Sequence, residues 1–432
     1  MIGIVLRRSP ARWFLPLGAA FSLAVLFLRS RYWIGVWPQT AAAAQIPAIL
    51  LSGLAAAAAA WSVAATTRFG MTEQLRAVAA ARWRRELPFV LVVTGYFTGV
   101  ILLCQVSAAV PTALTWPPGF GLAPGYAVMA MAVIVLSVAF GHLVGKLLSG
   151  MFAAAVAGLG WLLIALYLGQ MLNLGVVSGP VWDEIDLPTV IARLLFAVAL
   201  LALAIAIPPQ TRDRTDRGWR RKGTTWFGAA ALAATVILLG VTVAAGSPVR
   251  ARQPVASPTC AGQTVKLCLW PEHEKYLPQI EAMAARIERL PDALAVPARV
   301  DEYGLTYRPS APGQTYIVEV AHHSPFFGLV EGSMWAVAVS IADIIGSKNI
   351  HPCTKPGTFK SDADNLLAIE FRAWIEAYLV GGTSGPDYHT NAGVDSQNAA
   401  ARGVARAHQG TAQEQFAWAL KTKDAFNYAP CE

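Results

Sequence analysis

Seven histidines and five cysteines are the first residues to test for chemistry, because imidazoles and thiols serve as bases, nucleophiles and metal ligands near neutral pH. His273 and Glu274 begin like the H-E-x-x-H helix of zinc peptidases, where two histidines one turn apart hold the metal and the glutamate acts as base. The second-histidine position is Leu277 and Pro278 follows, so the signature fails. His322 and His323 end a strand-like stretch, with Glu331 eight residues on. Adjacent histidines on a strand point to opposite faces, so only one can enter a given site. Together with His351 they read as surface or hydrogen-bonded residues. GHLVGK at 141–146 is one residue short of a phosphate-cradling loop and lacks its Ser or Thr. No G-x-S-x-G elbow occurs. No residue is assigned a catalytic or metal-binding role, and no cofactor is implied.

The elements that carry these residues follow from composition. The chain has 432 residues, 55% hydrophobic and only 14% charged, with a mean hydropathy of +0.47. A soluble globular chain carries roughly 25% charged residues. The class is a polytopic membrane protein. Residues 1–245 hold 18 Lys and Arg against 7 Asp and Glu, and residues 246–432 hold 16 against 19. The basic excess therefore belongs to the apolar half and is not a nucleic-acid footprint.

Seven apolar stretches approach the length needed to cross about 30 Å of hydrocarbon. They lie at 12–29, 42–65, 88–109, 126–147, 151–171, 190–207 and 226–245. Each must be helical, since lipid offers no partner to an open strand edge. With the N-terminus cytoplasmic, the inside segments carry fifteen Lys and Arg and the outside segments three, Arg29, Arg31 and Arg193. An odd number of spans then places the C-terminal part outside a bacterial plasma membrane. Within the spans, His142 has no acid at helical spacing and reads as a histidine hydrogen-bonded between helices. Gly95 with Gly99, and Gly141 with Gly145, let helices approach closely or self-associate.

The loop after the second span, TEQLRAVAAARWRRE (72–86), reads as a short amphipathic helix at the inner surface. Thr72 can cap it. Leu75 and Trp83 share one face, with Arg76, Arg82, Arg84 and Arg85 around it. Such a helix anchors on acidic lipid or docks a cytoplasmic partner.

Residues 246–258 form a Pro- and Ser-containing stalk, and 259–432 a folded α+β, mostly helical domain. A strand is expected at 264–270, a helix at 271–289, a strand at 315–321, and helices at 329–345, 362–379 and 395–422. Cys104 lies in a span. Cys260, Cys268, Cys353 and Cys431 lie in the outer domain, and four cysteines on an oxidising side suggest two disulfides. Of three connectivities, Cys260–Cys268 with Cys353–Cys431 is favoured. No C-x-x-C pair supports a zinc site.

The order of spans, the basic helix TEQLRAVAAARWRRE and the outer motif C-x7-C-L-W-P-E-H-x-x-Y-L-P (Cys260 to Pro278) resemble actinobacterial type-2 ATP-binding-cassette exporter permeases with a fused outer domain. The resemblance implies a permease-like subunit, pairing with itself or a homologue, with a separate cytoplasmic ATPase docked on Thr72–Glu86. The familiar permease has six spans; here a seventh carries the outer domain. The alternative is a membrane-anchored binding or degenerate peptidase-like module with no transport role. Neither reading gives the substrate.

Overall fold

The computed structural model describes residues 6, 7, 9, 11–28, 30–68, 82–148, 152–171, 179–207, 224–305, 326–329, 332–350, 361–381 and 393–426. The chain divides into two compact units, Met1–Arg250 and Ala251–Glu432.

The first unit is built from helices: α1 (Ala11–Leu28), α2 (Ser30–Trp33), α3 (Trp37–Gln45), α4 (Pro47–Arg68), α5 (Arg82–Thr115), α6 (Pro124–Leu147), α7 (Ala153–Met171), α8 (Leu187–Ala206) and α9 (Thr224–Ala245). All seven expected apolar stretches are helical. Five apolar helical segments among the described residues are long enough to cross a membrane: 37–65, 83–115, 120–147, 187–206 and 226–245. Those at 15–28 and 153–167 are apolar but shorter. The second stretch begins earlier than the sequence suggests, because α3 runs into α4 with only Ile46 between them. Two other expected boundaries also move. The third stretch extends to Arg82–Thr115 with Pro88 and Pro111 inside it. Asp186 caps α8 by accepting the Thr189 N–H at 3.2 Å, with Pro188 in the first turn.

Helix α6 is the most enclosed, packing against both α4 and α8. Its contact with α4 is a matter of small residues. A Cβ on Gly141 would strike the Ala56 carbonyl, and one on Gly145 would meet the Ala60 carbonyl at 2.7 Å. The other glycine pair behaves differently: a Cβ on Gly95 or Gly99 would meet nothing within 4 Å. A short strand, β1 (Asp183–Ile185), pairs with β2 (Val249–Ala251). Arg250 there binds Glu184 at 2.7 Å and Asp186 at 3.3 Å.

Among its described residues the second unit holds a four-stranded sheet in the order β3 (Thr259–Ala261), β4 (Lys266–Leu269), β5 (Arg299–Glu302), β6 (Phe326–Phe327). β3 and β4 are antiparallel, while β4–β5 and β5–β6 are parallel. The expected strand at 264–270 is β4. The expected helix at 271–289 is two pieces, a 3₁₀ turn over Pro271–Tyr276 and then α10 (Leu277–Ile287), which crosses between the parallel strands β4 and β5. The expected strand at 315–321 lies outside the described residues.

Helices α11 (Met334–Asn349), α12 (Asp362–Val380), α13 (Val394–His408) and α14 (Ala412–Ala425) complete the unit. Ser333, Ser361 and Thr411 cap α11, α12 and α14. One helix was expected over 395–422, and there are two. Gly410, at φ +76°, turns the chain, and Thr411 with Glu414 forms a capping box that starts α14. Phe371, Trp374, Tyr378, Phe416 and Trp418 form the aromatic core, with Trp374 fully buried. Gly403 lets α13 sit on the α12 backbone, where any Cβ would strike the Glu370 carbonyl.

Candidate functional site

Two buried polar clusters stand out, one in each unit. The first begins with His142 on α6, 2% exposed. Its Nε2 lies 3.1 Å from Glu86 Oε2, on the first turns of α5. Lys146, one turn further along α6 and 3% exposed, places Nζ 2.5 Å from the same oxygen. It also donates to the main-chain oxygens of Ala204, Ile205 and Ile207 at 2.7, 3.1 and 2.9 Å. Those are carbonyls at the C-terminal end of α8, which have no partner within their helix and carry its negative dipole end. One ammonium thus joins three helices. His142 is hydrogen-bonded between helices as the sequence suggests, and its acid comes from 56 residues away. Lys146, counted in sequence as a charge of the inside segments, is a buried helix-capping group.

Arg193, counted among outside residues, is likewise inside the packing. It is 2% exposed and donates to the carbonyls of Thr189 at 3.1 Å and Gly246 at 2.5 Å. Gly246 follows α9, so the same device recurs at the other end of the α8–α9 pair.

Of the docking residues, Thr72, Leu75 and Arg76 lie outside the described residues. Arg82, Trp83, Arg84 and Arg85 open α5 and are continuous with its apolar run. Trp83 is 43% exposed, and the Arg84 guanidinium lies 5.1 Å from its ring centroid. Glu86 follows directly, so this basic turn is tied to α6 and α8 through Lys146.

The second cluster sits where the parallel strands β4 and β5 end. Open parallel sheets bind ligands at their carboxyl ends. His273, in the turn after β4, is fully buried, and its Nδ1 lies 2.7 Å from Glu302 Oε1 at the end of β5. Glu302 Oε2 accepts the Trp270 N–H at 3.0 Å. The Trp270 indole N–H donates to the Tyr303 carbonyl at 2.9 Å. Arg252 binds Glu272 at 2.7 Å and lies over the Trp270 ring, 4.6 Å from its centroid. Burial, then the Glu302 charge, pushes the Tyr276 phenol up to about 12. Burial pulls the Lys275 ammonium down to about 8. The carboxylate orients the imidazole as in a triad, but a wholly enclosed ring meets no dissolved substrate. The pair therefore reads as a pin that holds Trp270–Tyr276 against the sheet.

Cys260 and Cys268 face each other across β3 and β4 and are joined by a disulfide. Cys353 and Cys431 lie outside the described residues, as do His322, His323, Glu331 and His351. Cys104 is buried as a free thiol. Among the described residues no three metal-ligating side chains converge.

Glu86, Lys146 and Glu302 were not singled out from sequence as members of these clusters. One signal pointed to Glu86. Between Glu86 and Asp183 the chain has no other acid, so any cation buried there has few candidates for its counter-charge. No family model, no curated protein and no solved structure matches the chain.

Proposed function

We propose that this chain is a permease-like membrane subunit of an ATP-driven exporter, working with a separate cytoplasmic ATP-binding-cassette ATPase. In this reading the N-terminus and the Arg82–Arg85 turn face the cytoplasm, the second unit is extracytoplasmic, and two such subunits pair. The supporting observation is the Glu86–His142–Lys146 cluster. A partner pressing on a loosely attached surface helix would move only that helix. Here the basic turn is fixed through Glu86 to α6 and α8, so its displacement passes into the packed bundle.

The test is recovery of ATPase activity with the tagged full-length chain from its native membrane. Arg84→Glu with Arg85→Glu is expected to lower recovered ATP hydrolysis at least tenfold at equal chain yield. Unchanged recovery, or none with the native chain, overturns the proposal. The alternative, a membrane-anchored binding or peptidase-like module, draws on the His273–Glu302 pair at the strand ends. Enclosure of that ring weakens its peptidase form.

A further inference from the structure

A cleft of about 310 Å³ opens in the second unit, between the end of α10 and helices α12, α13 and α14. That volume is at the small end of the range for small-molecule sites, about 300–1,000 Å³. Its chemistry is one-sided. Arg286, Arg289 and His408 line it together with Tyr378 and Phe416, and none of the described residues that line it is acidic. Glu288, between the two arginines in sequence, points elsewhere. It accepts the backbone N–H groups of Gln263, Thr264 and Val265 at 2.6, 2.7 and 3.2 Å.

Arg286 is held in place by neutral groups. Its Nη1 donates to the Leu379 and Val380 carbonyls at 2.7 and 3.1 Å, at the end of α12. The rest of the guanidinium lies against Gly381, whose left-handed backbone (φ +65°) and missing Cβ make the room. The position is fixed while no carboxylate among the described residues takes up the charge. Arg289, three residues on, is exposed on the same rim. Both arginines act electrostatically on the Tyr378 phenol.

The floor is aromatic and rigid. The Tyr378 and Phe416 rings meet edge to face with centroids 5.7 Å apart, and Tyr378 stacks on the buried Trp374 at 5.7 Å. Preorganised guanidinium groups bind carboxylates and phosphates, and aromatic walls favour a flat apolar partner.

We propose that this cleft binds a small aromatic oxyanion, an aryl carboxylate or aryl phosphate. The charged group sits between Arg286 and Arg289, and the ring packs on Tyr378 and Phe416. The assignment does not depend on the ATPase reading, since it concerns the second unit alone.

The experiment is calorimetric titration of the full-length chain in lipid nanodiscs with benzoate, phenyl phosphate, inorganic phosphate and neutral benzamide. At least one aryl anion is expected to bind saturably, and which of the two binds more tightly tells carboxylate from phosphate. Benzamide and inorganic phosphate should each bind at least tenfold more weakly than the preferred aryl anion. Arg289→Gln, at an exposed position, should weaken that anion at least tenfold with an unchanged melting curve. Absence of binding by both aryl anions overturns the proposal. So does benzamide or inorganic phosphate binding as well as the preferred anion, or an Arg289→Gln variant with native affinity.

Discussion

Glu86 and Glu302 each face a buried histidine, at 3.1 and 2.7 Å, yet their other partners differ in kind. Glu86 is 20% exposed at its side chain and shares one oxygen between His142 and the ammonium of Lys146. Glu302 is wholly enclosed and is held by the His273 ring and the Trp270 N–H. The first pair balances charge among apolar helices, where an unpaired ion is expensive. The second satisfies hydrogen bonds at the carboxyl ends of the strands of a sheet, where backbone donors are within reach. The difference teaches that the same two residue types do an electrostatic task in one unit and a positional one in the other.

The largest effect should come from Lys146→Met. It strands Glu86 without its cation and leaves three carbonyls of α8 unfilled, a loss of about 3–5 kcal/mol for a broken buried pair. Unfolding of the chain in nanodiscs reads it, and adding Glu86→Gln should return at least half of the loss. A native midpoint for Lys146→Met would break the comparison. Glu302→Leu comes next. Orphaning the Trp270 N–H and the His273 ring should remove about 2–3 kcal/mol, whereas Glu302→Gln, which still presents a polar side chain to both, should lose about 1 kcal/mol. Equal losses for the two variants would mean that packing, not hydrogen bonding, holds the segment.

The glycine pairs sharpen the contrast within the first unit. Gly141→Val must push α4 away from α6 and should lose about 1–3 kcal/mol. Gly95→Val has open space around its Cβ and should stay within about 0.5 kcal/mol in a monodisperse preparation. A further effect is one of pH. Lys275 has a folded-state pKa of about 8, below its ordinary 10.5, so the unfolded chain holds more protons between those values. Its contribution therefore makes stability rise with pH from about 8 to 10.5. Tyr276, raised to about 12, opposes this above pH 10. Lys275→Met should flatten the rise; an unaltered slope between pH 8 and 10 removes Lys275 as its source.

Much of the helical framework was legible in the sequence because apolar runs of membrane length have few alternative structures. The Gly141–Gly145 contact was legible for the same reason, since small residues at i and i+4 make a flat helix face. The clusters were not. His142 and Glu86 are 56 residues apart, and His273 and Glu302 are 29 apart, so no local period connects them. The burial of Lys146 and Arg193 was not legible, because charges near the end of an apolar run count as interfacial by position. Their long side chains instead reach the unfilled carbonyls of a neighbouring helix end. The parallel pairing of β4 with β5 also escaped, because Arg299–Glu302 is short and polar and carries no strand period of its own. The Cys260–Cys268 bridge was legible, since eight residues suffice for a turn between paired strands.

The proposed function requires the Arg82–Arg85 turn and residue 289 to lie on opposite sides of the membrane. The most direct measurement replaces Cys104, Cys353 and Cys431 with serine and places one reporter cysteine at Arg84 or at Arg289. Intact cells are then treated with a membrane-impermeant maleimide. The account predicts that position 289 reacts at once and position 84 reacts only after the cells are permeabilised. Reaction at 84 in intact cells, with 289 protected until permeabilisation, would contradict it.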